Sequence, residues 1–139
     1  SVFGKSVCDR SGKVDRDNFM ASFSFEDRSI GTIHYYSNGD PSYEKERVEI
    51  FGEDKTVVIR NFRSLIVSEG RRIRKSTKFF GDKGHKAELD RFVDVVKFNR
   101  DMPIPFSEIV ETSLATLKIL DSIAEGRALE LEVAQLDVK

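Results

Sequence analysis

A chain of 139 residues, 39% hydrophobic and 34% charged, has room for one buried core rather than two, and its 23 basic and 24 acidic residues nearly cancel. That balance excludes the broad positive field that draws a protein to nucleic acid or to an anionic membrane, so neither is an expected partner. Cys8 is the only cysteine, which excludes an intrachain disulfide and a C-x-x-C metal or redox site and makes a reducing cytoplasm the expected compartment.

No apolar run approaches the ~20 residues of a membrane span, and the opening stretch SVFGKSVCDRSGK lacks the apolar centre of a secretion signal. The sequence starts at Ser1 in mid-pattern without an initiator methionine. We expect it to be a fragment of a longer protein, with residues 1–139 forming a single domain.

The first clear elements are strands. In NFMASFSFEDRSIGTIHYY, Phe19, Ala21, Phe23 and Phe25 alternate with Met20, Ser22 and Ser24, the period of two of a strand with one buried face. EDRS makes a short turn into a second strand over 30–36, completing a hairpin. After the loop formers of SNGDPS come ERVEIFG, KTVVIRNF, RSLIVSEG and RRIRKSTKFF, an antiparallel meander punctuated at Gly52 and Gly70.

The period then changes. Leu89, Phe92, Val93 and Val96 fall at i, i+3, i+4 and i+7, the stripe of an amphipathic helix lying on something apolar. Asp82, Lys83 and Gly84 read as its start, with the Asp82 carboxylate suited to capping. NRDMPIPF breaks the chain, Ser107 stands where the N-cap of a second helix belongs, and Gly126 stops that helix after about Glu125. One stripe of Val110, Leu114, Leu117, Leu120 and Ala124 beside another of Ile109, Thr112, Thr116, Ile119 and Ile123 predicts burial on two sides. RALELEV, alternating Leu129, Leu131 and Val133, predicts a closing strand.

Strands first and helices after give an α+β class: an open, mostly antiparallel sheet with two main helices packed on one face. The other face should then be polar, yet Val48 and Ile50 oppose Phe51, and Leu65 and Val67 oppose Ile66, so both faces carry aliphatic groups. This predicts that another subunit or domain covers the far face; the alternative is scattered, solvated apolar residues.

Chemistry is sparse. With two histidines, one cysteine and no G-x-S-x-G, a nucleophile with its base is hard to assemble, and neither G-x-G-x-x-G nor G-x-x-x-x-G-K-[ST] is present to cradle phosphates. His34 shares a strand face with Ile30, Thr32 and Tyr36 and has no carboxylate close by to orient it, which favours a packing role at a domain contact over a general base. His85 belongs to the first turn of a helix; Glu88 three residues on is its only companion for a metal, too little for a site, though His85 could face a ligand arriving at that end. Arg71, Arg72, Arg74, Lys75 and Lys78 form a basic patch, with Arg72, Arg74 and Lys78 alternating against Ile73 and Phe79; it reads as a solvated or edge-protecting face, or as a site for an acidic group. Tyr43, Glu44 and Lys45 lie where a loop meets a strand, a place where ligand contacts concentrate.

Taken together, FEDRSIGTIHYYSNGD, YEKERVEIFGEDKTVVI, DKGHKAELDRFVDVV and PIPFSEIVETSLATLKILDSIAEGRALEL resemble the C-terminal domain of the Gfo/Idh/MocA oxidoreductases, nearest the versions in bacterial polysaccharide-biosynthesis dehydrogenases, from about Asp17 to Leu131. The resemblance implies an N-terminal Rossmann domain, not present in this chain, that binds NAD or NADP. It further implies a sheet that shapes a sugar pocket and packs against its copy in a homo-oligomer. The implied reaction is hydride transfer at a sugar, nucleotide-sugar or cyclitol hydroxyl carbon, with a lysine of E-K-P and a histidine of D-x-x-x-H handling the proton. Neither motif occurs here: Glu44–Lys45 lacks the proline and DKGH has the wrong spacing, so no catalytic, cofactor-binding or metal residue carries over, and the chain alone is expected to be inactive. The stretch leading into ERVEIFGE corresponds to a substrate-facing loop, which makes Tyr43 the first candidate sugar contact, with Lys45 behind it and Lys83 and His85 next. The competing reading is a stand-alone module that dimerises or binds a ligand without catalysis.

Overall fold

The computed structural model describes residues 1–8 and 14–131. In chain order they form β1 (Val2–Cys8), β2 (Val14–Ser24), β3 (Ile30–Tyr36), β4 (Arg47–Gly52), β5 (Lys55–Arg60), β6 (Ser64–Glu69), β7 (Arg72–Thr77), α1 (His85–Phe98) and α2 (Phe106–Glu125). The class is α+β, as expected. The strands fall into two antiparallel sheets, ordered β1-β2-β3 and β4-β5-β6-β7. The chain divides into two compact units, residues 1–39 with the chain from Met102 onward, and residues 40–101.

In the first unit the register Val2↔Phe23, Gly4↔Ala21 and Ala21↔Ile33 puts the small and apolar parity of three strands on one face. Helix α2 packs there. Val2, Ala21, Ile119 and Leu129 are the buried core, with Phe19, Phe23, Ile123 and Leu131 against it; each fully buried aliphatic side chain contributes roughly 1.5–3 kcal/mol before entropy is counted. Gly4 lets helix and strand touch, since a Cβ there would stand 2.8 Å from the Ile119 carbonyl oxygen. Beside it the buried Ser122 hydroxyl accepts the Gly4 N–H at 2.9 Å and donates to the Arg127 carbonyl at 2.5 Å, so a polar group inside the core is satisfied on both sides.

Four readings of this unit change. β1 went unread in the sequence, because a strand of Val, Gly, Lys and Ser alternates only weakly. α2 begins behind Pro105 rather than Ser107: the Pro105 carbonyl accepts from Glu108 and Ile109, and a proline at φ −56° delivers the chain into the helix directly. Burial of α2 is one-sided, with Ile119 and Ser122 buried while Leu117 and Leu120 stay exposed. The closing strand reduces to the bridge Val2↔Leu129, two backbone hydrogen bonds of 2.8 Å, and Val133 lies outside the described residues.

In the second unit β4 to β7 form the expected meander with continuous register. All three hairpins turn through consecutive left-handed residues: Glu53 and Asp54 (φ 48° and 57°), Asn61 and Phe62 (49° and 50°), Gly70 and Arg71 (55° and 62°). Paired positive φ values match the right-handed twist of the flanking strands, which is why they recur despite their cost in residues other than glycine. Helix α1 starts where predicted, with His85 as its first residue and Gly84 (φ 82°) as its N-cap. Asp82 does not cap the helix; its Oδ1 accepts the Gly84 N–H at 2.9 Å and so shapes the approach. The stripe of Leu89, Phe92, Val93 and Val96 forms, but all four remain exposed and no residue of α1 is buried, so the apolar support the stripe calls for is not supplied by the described residues.

Candidate functional site

The turn at Asn61–Arg63 holds two further segments, residues 45–46 and residues 78–84, at one end of the four-stranded sheet. Asn61 Oδ1 accepts the N–H of Lys45 (2.9 Å) and of Glu46 (3.2 Å), and the Asn61 N–H donates to the Glu46 carbonyl (2.7 Å). Asparagine suits the position because it tolerates the left-handed backbone and its short amide reaches neighbouring N–H groups. Residues 78–84 are tied to the same turn: Lys78 N–H donates to Arg63 (2.9 Å) and Asp82 N–H to Phe62 (3.1 Å). Gly81 passes so close that a Cβ would lie 2.8 Å from the Asn61 carbonyl oxygen. The Lys83 ammonium pairs with Glu46 and sits 5.7 Å from the Phe62 ring centre.

Two of the four sequence candidates, Lys45 and Lys83, are thereby held against one turn. Tyr43 projects from the turn that precedes them: Asp40 accepts from Ser42 N–H (2.8 Å) and Oγ (2.6 Å), the Tyr43 N–H donates to the Asp40 carbonyl, and the ring is 69% exposed. Those two bonds from Ser42 hold the Asp40 carboxyl below the usual aspartate value. His85 opens α1 two residues beyond Lys83. Neither the Tyr43 hydroxyl, the Lys45 ammonium nor the His85 ring has a hydrogen-bond partner among the described residues. Asn61 and Glu46 were not singled out from the sequence; the asparagine between two strands in RNFR was the available signal.

Behind this surface lies an ion network. The Glu44 carboxylate, 9% exposed, accepts from Arg60 Nε at 2.6 Å and from Arg47 at 3.2 Å, and Arg47 also reaches Glu49 at 2.5 Å. The Arg60 hydrogen bond first, then Arg47, pulls the Glu44 pKa below its ordinary value; Glu49 first, then Glu44, raises that of Arg47. Nearby Ser64 has a buried hydroxyl with no hydrogen-bond partner among the described residues. Along these segments stand cations, a phenol and an imidazole, groups that can meet polar ligands; among the described residues no nucleophile is paired with a base.

The remaining candidates stand apart from it. His34, exposed, meets Tyr36 Oη at 3.2 Å and no carboxylate. In the basic patch, Arg72 and Arg74 share a face as expected, Lys78 lies beyond the end of β7, and Arg74 and Lys78 pair with Glu69 (2.9 Å) and Asp82 (3.6 Å). Among the described residues no cluster of three His, Cys, Asp or Glu side chains could hold a metal, and no helix is long and apolar enough to cross a membrane. Nor do the helix starts fit a dinucleotide pyrophosphate: α1 carries Glu88 and α2 carries Glu108 in the first turn, each opposing an anion, and neither start carries a G-x-G-x-x-G or G-x-x-x-x-G-K-[ST] turn.

No protein-family model matches the sequence, and no curated protein is significantly similar to it. Solved structures are another matter. The chain superposes on an assigned oxidoreductase from Klebsiella pneumoniae with a TM-score of 0.72 at 13% identity, over 97% of this chain and 44% of that one. An assigned oxidoreductase from Thermotoga maritima gives 0.69 at 17% identity, over 91% and 39%. The WlbA dehydrogenase from Bordetella pertussis, in complex with NADH and UDP-GlcNAcA, gives 0.52 at 15% identity, over 95% and 39%. The chain has the fold of part of these oxidoreductases. At the level of fold, the Gfo/Idh/MocA resemblance read from the sequence is borne out. The oxidoreductase fold is matched in part only: the chain spans about two fifths of the length of each of these three proteins.

Proposed function

We propose that this chain is the substrate-side and assembly part of an NAD(P)-dependent oxidoreductase acting on a sugar, nucleotide-sugar or cyclitol hydroxyl. The observation that carries the reading is the superposition itself: 97% of this chain matches less than half of a larger oxidoreductase. A neighbour of the same fold that holds NADH and a nucleotide sugar supports the substrate class. On this reading a separate Rossmann domain holds NAD or NADP and carries the proton-handling residues, because the residues described here suit neither task. Tyr43, Lys45, Lys83 and His85 contact the ligand's polar groups, Asn61 keeps their loops in place, and the four-stranded sheet face is an assembly surface between copies.

The test uses the intact gene product, screened for NAD(P)H formation with free sugars, cyclitols and nucleotide sugars. Turnover with one of these classes is expected, and Tyr43→Phe combined with Lys45→Ala should raise its KM about tenfold while kcat stays within about threefold, the signature of lost ground-state binding. The 139-residue chain by itself should leave NADH fluorescence unchanged. Saturable NADH binding by the chain alone would refute the division of labour, and an intact protein inert toward every class would favour the non-catalytic module.

A further inference from the structure

The stretch SNGDPS leads from β3 to the turn that presents Tyr43, and Asn38–Gly39 end the 1–39 stretch of the first unit. Of the four asparagines in the sequence, Asn38 is the one followed by glycine. Both residues are exposed. Asn38 is held through its main chain, whose N–H donates to Asn18 Oδ1 at 3.3 Å. Its side-chain amide and the Gly39 N–H have no hydrogen-bond partner among the described residues.

The other three asparagines are each restrained. Asn18 is 4% exposed within β2, and its amide donates to Ser37 Oγ at 3.3 Å. Asn61 spends its Oδ1 on the N–H groups of Lys45 and Glu46. Asn99 closes α1, and the nitrogen that follows it, that of Arg100, donates to the Val95 carbonyl at 3.2 Å. Bulky residues follow all three: Phe19, Phe62 and Arg100. At Asn38 alone are the side-chain amide and the next backbone nitrogen both unengaged, with no Cβ on the following residue to obstruct their approach.

We propose that Asn38 is a site of spontaneous deamidation through a cyclic imide. The Gly39 nitrogen gives its proton to hydroxide and attacks Asn38 Cγ. As the new C–N bond closes a succinimide ring, the bond from Cγ to Nδ2 breaks, and the nitrogen leaves as ammonia with a proton from water, which restores the hydroxide. Water then adds to one of the two imide carbonyls. Opening on the Cγ side leaves an aspartate at position 38, whereas opening on the main-chain side leaves an isoaspartate whose backbone runs through Cβ and Cγ. In sum, one amide and one water give one carboxylate and one ammonium; nothing is oxidised. The isoaspartate adds a main-chain carbon just ahead of the Asp40 turn, and either product sets a second carboxylate two residues before that of Asp40.

Peptide mass mapping of the purified chain, kept folded at mildly alkaline pH, tests this. The mass gain of an amide turned to an acid should accumulate at Asn38 at least about tenfold faster than at Asn18, Asn61 or Asn99, with isoaspartate among the products and a rate that rises with pH. Gly39→Ala should slow the reaction about tenfold by crowding ring closure, and should leave the fold intact, since the added Cβ would meet nothing nearer than the Tyr36 carbonyl oxygen at 3.8 Å. Unfolding in urea should change the rate at Asn38 by less than about tenfold, because the folded turn does not protect it. A folded-state rate at Asn38 no greater than at the other three asparagines, or one that rises more than about tenfold in urea, overturns the proposal. So does conversion to aspartate without isoaspartate, the mark of direct hydrolysis in place of ring closure.

Discussion

Ser122 is where the first unit is most sensitive to one atom. Ser122→Ala leaves the Gly4 N–H and the Arg127 carbonyl without their buried partner, at a cost of about 1–3 kcal/mol in urea unfolding. Gly4→Ala should cost a similar ~1–3 kcal/mol, because the contact is with helix backbone, which gives way only by moving α2. If either variant unfolds with the wild type, the packing of α2 on β1 described here is wrong. Glu44 adds a pH dependence of known sign. Folding lowers its pKa, so its pairing with Arg60 and Arg47 stabilises at neutral pH and is lost as pH falls from 4.5 through the lower folded value. Glu44→Gln should therefore be less stable than wild type at pH 7, with a deficit that shrinks as pH falls below 4.5; a deficit that stays constant through that range would show that the charge is not what matters. Neither Ser122 nor Gly4 was legible as a core residue, since a serine on a helix and a glycine near the start of a chain carry no sign of what will face them.

Whole elements follow the same division. Period-two and period-3.6 patterns located six of seven strands and both helices, but periodicity says which side chains share a face, and nothing about what covers it. Helix α1 shows the difference: its stripe is real and exposed, so Leu89→Gln with Phe92→Gln should shift the stability of the 139-residue chain by no more than about 0.5 kcal/mol. A loss of several kcal/mol would place that stripe in a core. The Asn61 turn behaves oppositely, because one side chain ties residues 45 and 46 to the turn between β5 and β6. Asn61→Ala should cost about 1–2 kcal/mol through two lost hydrogen bonds and a left-handed backbone that alanine resists. Asn61→Asp, which keeps the accepting oxygen and tolerates the backbone, should recover most of that loss. Of the candidate site, Tyr43, Lys45, Lys83 and His85 were named through the family resemblance, the first two also through their place where a loop meets a strand. The sequence did not indicate the turn that ties two of them together, since Asn61 meets Lys45 and Glu46 across 16 and 15 residues of chain.

At the scale of the molecule, the fold matches oxidoreductases more than twice its length while its described residues bring no catalytic pair together. Fold and chemistry therefore part company here, and a reaction cannot be inferred from architecture alone. On the proposed division of labour the cofactor binds a separate domain and leaves the stability of this chain unchanged. Thermal unfolding of the 139-residue chain with and without saturating NADH checks this directly, the expected shift being none.

Local pattern was enough to set the α+β class, the antiparallel meander and the helix carrying His85, because alternation and turn chemistry are properties of neighbours in the chain. Contact between distant segments decided the rest: Ser122 against Gly4, Asn61 against Lys45 and Glu46, and Lys83 against Glu46. Each of these depends on strand register or on the close approach of backbones, and register exists only once the strands have paired.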